Sequence, residues 1–126
     1  MEKIIIGLLF VVPLHTTEQT VTPEPPTIPE MIEKYSEKYH VDKTIISKVI
    51  KCESSFNPKA VNWQDSHKLS KGSHGIAQFS YETFNTYSKE IGIKDGDPYN
   101  PDQAIETMAY MFSKGKANHW SCFKKI

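Results

Sequence analysis

The chain has 126 residues, and its 15 basic side chains, all of them lysine, balance 15 acidic ones to a formal net charge of zero. A chain of this length folds by default as one small domain with a modest core. Without arginine, a basic block or a nucleic-acid-binding motif, no nucleic-acid partner is expected.

The N-terminus has the pattern of an export signal. Lys3 precedes an apolar run from Ile4 to Leu14, shorter than the ~20 residues that a membrane-spanning helix needs. We interpret residues 1–15 as a signal peptide and expect an exported protein, in the cell envelope or outside the cell. No Ala-x-Ala cleavage site follows, so an uncleaved anchor associated with the membrane stays open, as does a buried N-terminal strand. Residues 16–27, rich in Thr, Glu and Pro, are typical of an extended linker.

Beyond the linker, the spacing of apolar residues predicts a mostly α-helical domain over residues 28–126. Capping residues and turn signals mark the boundaries of four helices. The predicted helices run to about His40, from Asp42 to Glu53, from Ser80, and from Asn100 to Gly115. No strand is predicted.

Residues 57–74 form a long polar stretch without a clear period. In a compact domain, a loop of this length usually has a function, such as binding a ligand. We expect it to border a substrate groove.

Glu53 ends the second predicted helix on its apolar side. Ile46, Val49 and Ile50 share the same stripe at helical spacing, so the carboxyl is expected along a core-facing edge. Loss of water and the negative pole of a helix C-terminus both disfavour a charged carboxylate, so the acid can stay protonated near neutral pH. Such a group can act as a general acid. The alternative is a solvated surface carboxylate.

Three blocks place Glu53 in a wider pattern. They are Glu53 to Asn62 (ESSFNPKAVN), Gly72 to Gln78 (GSHGIAQ) and Tyr110 on the last helix. In this order and spacing they resemble the lytic transglycosylase domain of the soluble-lytic-transglycosylase and goose-type lysozyme superfamily, over roughly residues 28–126. Ala77 stands where that family usually has methionine. Asn62 stands where a serine that can hydrogen-bond the catalytic acid is common.

The resemblance implies a small lysozyme-like helical fold in which the long loop lines the substrate groove. It implies Glu53 as the catalytic acid and peptidoglycan glycan strands as the substrate. The residues expected to bind substrate are Asn62, Gly75, Ile76, Gln78 and Tyr110. Glycine would permit close approach of a sugar, and the glutamine amide can bond to sugar hydroxyls or acetamido groups. No metal or organic cofactor is implied, and we expect a monomer.

The number of candidate carboxylates bears on the reaction. Most glycosidases need two, whereas these blocks supply only Glu53. The resemblance implies a lytic reaction on the MurNAc–GlcNAc bond, in which the C6 hydroxyl of the substrate is the nucleophile and the product carries a 1,6-anhydro end. Two alternatives stay open: a goose-type hydrolase in which Asp65 holds a water molecule, and a non-catalytic glycan-binding module.

Cys52 and Cys122 are the only two cysteines. In a chain with an export signal, a disulfide is favoured over a zinc site, which needs four ligands in a typical spacing. Two buried free thiols are the alternative.

The remaining aromatic and histidine side chains are ambiguous. Trp63, Phe79, Tyr81 and Trp120 can either stack on sugars or belong to the core. His67 and His74 lack the spacing of a metal pair, and we expect them to be solvated loop residues without a catalytic role.

Overall fold

The computed structural model of the protein describes residues 7, 21–64 and 71–126. Along these ranges, two α-helices are followed by a small antiparallel ladder, two further α-helices and two 3-10 helices. The elements are α1 (Ile28–Tyr39), α2 (Lys43–Ser54), β1 (Val61–Asn62), β2 (Ser73–His74), α3 (Tyr81–Glu90), α4 (Pro101–Ser113), and 3-10 helices at Ala117–His119 and Ser121–Lys125. The mostly helical fold predicted from the sequence is confirmed.

Each of the four helices is preceded by an N-cap residue whose side chain accepts a hydrogen bond from a backbone N–H of the first turn. These caps are Thr27, Asp42, Ser80 and Asn100. Left-handed residues end the first two helices, at His40 (φ 55°) and Ser55 (φ 53°). The fourth helix ends at Ser113, two residues before the predicted Gly115. Local signals therefore position most helix ends.

The expectation of no strand was wrong for the segment after α2. Val61 pairs with His74 and Asn62 with Ser73 in an antiparallel ladder. Strands of two residues are too short to show the alternation that predicts a strand. The ladder joins the two ends of the long polar loop, of which residues 65–70 lie outside the described residues.

The core is built on the predicted apolar stripes of α2 and α4. Its fully buried members on these helices include Ile46, Val49, Ile50, Ile105, Met108 and Ala109. Burying a side chain the size of isoleucine or methionine stabilises the fold by about 1.5–3 kcal/mol relative to exposure. Helix α4 packs on both α1 and α3, and α2 packs on α1 and on the 3-10 helix Ser121–Lys125. The C-terminal segment is thereby brought against the helix that carries Glu53.

A polar seam joins α1 to α4. The hydroxyl of Tyr35 donates to Asp102, and that of Tyr39 donates to Glu106, each at 2.8 Å. Lys38 forms an ion pair with the same Glu106 at 2.6 Å. Burial, together with the Asp102 hydrogen bond, raises the pKa of Tyr35. Burial and the Glu106 hydrogen bond raise the pKa of Tyr39 to about 12.

No helix in the described part of the chain is long and apolar enough to cross a membrane. The predicted signal peptide, residues 1–15, lies outside the described residues except for Gly7. Residues 21–27 of the predicted linker are exposed and have no regular secondary structure.

Candidate active site

Glu53 lies in the last turn of α2, at the border between core and solvent. The stripe that precedes it on this helix is fully buried, whereas Glu53 itself is half-buried. Its Oε1 accepts a hydrogen bond from the backbone N–H of Cys122 at 3.3 Å. Such a donor stabilises the negative charge that remains when a carboxyl group gives up its proton.

A disulfide holds this donor in place. Cys52 and Cys122 are bonded across a sequence separation of 70 residues, with their Cα atoms 6.0 Å apart. The predicted pairing is confirmed. Because Cys52 directly precedes Glu53, one cross-link fixes both the helix turn that carries the acid and the segment that donates to it.

Ser54 connects the end of α2 to the segment formed by residues 75–78. Its hydroxyl donates to the carbonyl of Ile76 at 2.6 Å. Ile76 has no exposed surface. It contributes to the site through its backbone carbonyl, which accepts from Ser54.

The 75–78 segment is held by a second set of bonds to Ala60, in the turn after α2. The Ala60 carbonyl accepts from the backbone N–H of Gly75 at 2.8 Å and from Nε2 of Gln78 at 3.1 Å. The same Nε2 also donates to the Gly75 carbonyl at 2.9 Å. A Cβ at position 75 would lie 2.0 Å from the carbonyl oxygen of Pro98, with φ at +80°. Backbone packing therefore requires glycine here, and close approach of a sugar stays a prediction.

The structure separates the four ambiguous aromatic residues into two classes. Phe79 and Trp120 are 2% and 4% exposed and belong to the core. Trp120 donates from Nε1 to the buried carbonyl of Ala77 at 2.7 Å, which fixes the 75–78 segment from the side of the core. Trp63 and Tyr81 are 71% and 40% exposed.

Two further candidates, Asn62 and Tyr110, have partners of their own. Asn62 is exposed, and its Oδ1 accepts from the backbone of Gln64 at 3.1 Å. The hydroxyl of Tyr110 donates to Glu90 at 2.8 Å, and this hydrogen bond raises the pKa of Tyr110. Contact of either residue with substrate stays a prediction.

The expectation that His74 is a solvated loop residue was wrong. The side chain is 1% exposed, and its Nε2 lies 2.9 Å from the carbonyl of Lys71. A carbonyl only accepts, so Nε2 carries a proton, and in the neutral ring Nδ1 accepts from the hydroxyl of Tyr99 at 2.6 Å. Because that hydroxyl comes from 25 residues further along the chain, no local pattern could have predicted the burial.

Two residues considered from the sequence, Asp65 and His67, lie outside the described residues. Among those that are described, no group of three or more His, Cys, Asp or Glu side chains is arranged to hold a metal ion.

Comparison with protein families identifies a match over most of the chain. A family model described as "Transglycosylase SLT domain" matches residues 30–121. This range includes Glu53, the 75–78 segment and Tyr110. Comparisons with curated proteins and with solved structures give no match.

Proposed function

Because the chain belongs to the transglycosylase SLT domain family, we propose that it is a lytic transglycosylase that cleaves the MurNAc–GlcNAc bond of peptidoglycan. Glu53 is then the sole general acid and base. An exported protein would meet this substrate under conditions that also favour the Cys52–Cys122 bridge.

The environment of Glu53 is the observation that carries the proposal. The carboxyl is half-buried, one of its oxygens faces a backbone N–H, and it follows directly after a disulfide-bonded residue. Partial loss of water favours the protonated acid before the reaction, and the N–H donor favours the carboxylate after it. A group that must first give and then take a proton is served by both effects.

The reaction proceeds in two proton transfers. Glu53 protonates the glycosidic oxygen, the bond from this oxygen to C1 of MurNAc breaks, and GlcNAc leaves as an alcohol. The N-acetyl oxygen can assist by attacking C1 at this stage. The Glu53 carboxylate then takes the proton of the C6 hydroxyl. The C6 oxygen bonds to C1 and, where the N-acetyl oxygen has bonded there, displaces it and restores the acetamido group. The product is a 1,6-anhydro ring, the acid is restored, and no water is consumed.

The remaining candidate residues support this reaction by placing the glycan. Gly75 and Ile76 hold the backbone of the 75–78 segment beside the end of α2, through the bonds to Ala60 and Ser54. We infer that Gln78 binds the glycan through its carbonyl oxygen, since its amide nitrogen already donates to two backbone carbonyls. Asn62 and Tyr110 are proposed as further polar contacts.

Mass analysis of digested peptidoglycan tests the proposal. We expect 1,6-anhydro ends, which are lighter than reducing ends by one water molecule, and we expect Asp65→Asn to retain most of the activity. Reducing ends from the wild type, together with a loss of about a hundredfold or more in Asp65→Asn, as removal of a general base produces, would establish the hydrolase. Absence of cleavage in the wild type would favour the non-catalytic module.

A further inference from the structure

Four aromatic rings form a cluster at the base of the long loop. The ring of His74 lies at its centre, 4.3 Å from the ring of Tyr81, 5.5 Å from Trp63 and 5.6 Å from Tyr99, measured between ring centroids. The His74–Tyr81 pair is tilted by 33°, and the other two pairs meet edge to face. We call these four residues the His74 cluster.

The centre of this cluster is fixed by hydrogen bonds. Both ring nitrogens of His74 have partners, the Lys71 carbonyl and the Tyr99 hydroxyl. Its backbone is held as well, since β2 pairs with β1 and His74 exchanges two backbone hydrogen bonds with Phe79. These bonds restrict the side-chain rotation of His74. Its ring therefore keeps one position against the neighbouring aromatic rings.

Trp63 is also held closely, although most of its surface is exposed. A Cβ at position 72 would lie 3.2 Å from Cε3 of the Trp63 ring and 2.8 Å from the Asn62 carbonyl, and Gly72 has φ at +93°. Glycine at this position therefore lets the indole pack against the backbone of residue 72, directly before β2. With Gly72 beside it and His74 at its edge, the indole is ordered while 71% of the residue faces solvent.

Exposure of ordered aromatic rings is unfavourable in the free protein. Apolar surface left in water forgoes about 25 cal/mol per Å² that burial would contribute. Tyr81, which also contacts the ring of His74, is 40% exposed, so this cost applies to both rings. Both rings pack against the hydrogen-bonded ring of His74, so covering them costs these side chains little conformational entropy.

The cluster is continuous with the candidate active site. His74 directly precedes Gly75, and two residues further along the chain the Ile76 carbonyl accepts from Ser54, the neighbour of Glu53. The Cα atoms of residues 74 and 76 are at most about 7 Å apart. A polymer that reaches Glu53 can therefore extend over the exposed rings.

We propose that Trp63 and Tyr81 form a stacking subsite for a sugar ring of the glycan strand, beside the position where Glu53 acts. The C–H face of a pyranose ring packs on the π face of an indole or phenol. The exposed side chain of Asn62, directly before Trp63 in the chain, can meet its polar groups. This inference rests on the proposed function, because the same strand occupies both sites.

Tryptophan fluorescence tests the subsite without cleavage. The chain has two tryptophans, of which Trp120 is buried and Trp63 is exposed, so a soluble quencher such as iodide reports chiefly on Trp63. A β-1,4-linked tetramer of N-acetylglucosamine, titrated into the Glu53→Gln variant, is expected to shift the Trp63 emission to the blue and to protect it from iodide.

The variants Trp63→Phe and Trp63→Ala form a matched pair. Both are expected to fold as the parent does, because the side chain is mostly exposed. Calorimetric titration with the tetramer should show binding about tenfold weaker for Trp63→Ala, which corresponds to about 1.4 kcal/mol. Trp63→Phe, which keeps an aromatic face, should retain most of the affinity. In the cleaving wild-type background, Trp63→Ala should raise KM and leave kcat nearly unchanged, as loss of uniform binding does.

The outcomes separate the subsite from the reaction. Glycan binding that leaves Trp63 emission and its iodide quenching unchanged would overturn the subsite, as would an equal affinity of Trp63→Ala and the parent. A Trp63 response to anionic lipid vesicles but not to the tetramer would also overturn it, in favour of a membrane surface. If the wild type cleaves no peptidoglycan and yet Trp63 responds to the tetramer, the proposed function fails and the subsite stands.

Discussion

Removal of the Cys52–Cys122 disulfide probes how the candidate acid is held. The bridge closes a loop with a sequence separation of 70 residues, and the chain-entropy relation for a loop of that length gives about 4.4 kcal/mol at 25 °C. For a domain of about 100 residues, each 1 kcal/mol moves the melting temperature by roughly 4–8 °C. We therefore expect the double variant Cys52→Ser/Cys122→Ser to melt roughly 20 °C or more below the wild type.

Thermal unfolding followed by circular dichroism measures this shift. The wild type in the presence of a reductant is the matched control, and its melting temperature should fall to that of the double variant. The double variant should not respond to the reductant. A melting temperature within a few degrees of the wild type, or two thiols that can be alkylated in the native protein under non-reducing conditions, would refute the reasoning.

The same variant tests the hydrogen bond to the acid. Without the bridge, the backbone N–H of Cys122 loses the covalent link that holds it near Glu53 Oε1. A hydrogen bond to a charged group contributes about 1.5–3 kcal/mol, so turnover should fall by roughly 10- to 100-fold at a temperature where both proteins are folded. Unchanged turnover would show that the reaction does not depend on the bridge.

Three further predictions concern the acid, the backbone and the polar seam. Glu53→Gln should leave the melting temperature and glycan binding nearly intact and lower cleavage by about 10²–10⁴-fold or more; wild-type turnover would exclude Glu53 as the acid. Gly75→Ala should lower the free energy of unfolding by about 1–3 kcal/mol more than Gly92→Ala, measured by urea unfolding. Both glycines have positive φ, but of the two only position 75 has backbone atoms within 4 Å of an added Cβ. The folded-state pKa of Tyr39, about 12, lies above its ordinary 10.0, so its contribution to stability is fully present below pH 10 and is lost as pH rises through 12. Melting temperatures recorded against pH should show this loss, which Tyr35→Phe/Tyr39→Phe should reduce, and an equal loss in that variant would contradict the assignment.

Much of the fold could be predicted because its determinants are local. Asp42, Ser80 and Asn100 bond to backbone groups two or three residues away, and a stripe at helical spacing is visible in any window of a dozen residues. The edge position of Glu53 follows from the same spacing. The disulfide was predictable for a different reason, since the chain has two cysteines and each has one possible partner.

The features that sequence analysis missed depend on contacts between distant residues. His74 is buried because Tyr81 and Tyr99 come to it from later elements, and no pattern around position 74 contains that information. The donor to Glu53 is a backbone N–H, which every residue except proline carries. The N–H of Cys122 differs from other backbone N–H groups only in that the fold places it beside Glu53.

The orientation of the Gln78 side-chain amide determines whether it can donate or accept a hydrogen bond with a substrate. Its nitrogen donates to the carbonyls of Ala60 and Gly75, and these two contacts fix which end of the amide is which. The side-chain carbonyl oxygen of Gln78 is therefore the atom that can face a glycan. It can accept a hydrogen bond from a hydroxyl or from the N–H of an acetamido group, but it cannot donate one to a carbonyl oxygen of the glycan. Exchange for glutamate, nearly identical in shape, would turn a carboxylate oxygen toward two carbonyls. Glutamine at position 78 thus holds the backbone of the 75–78 segment before any sugar binds.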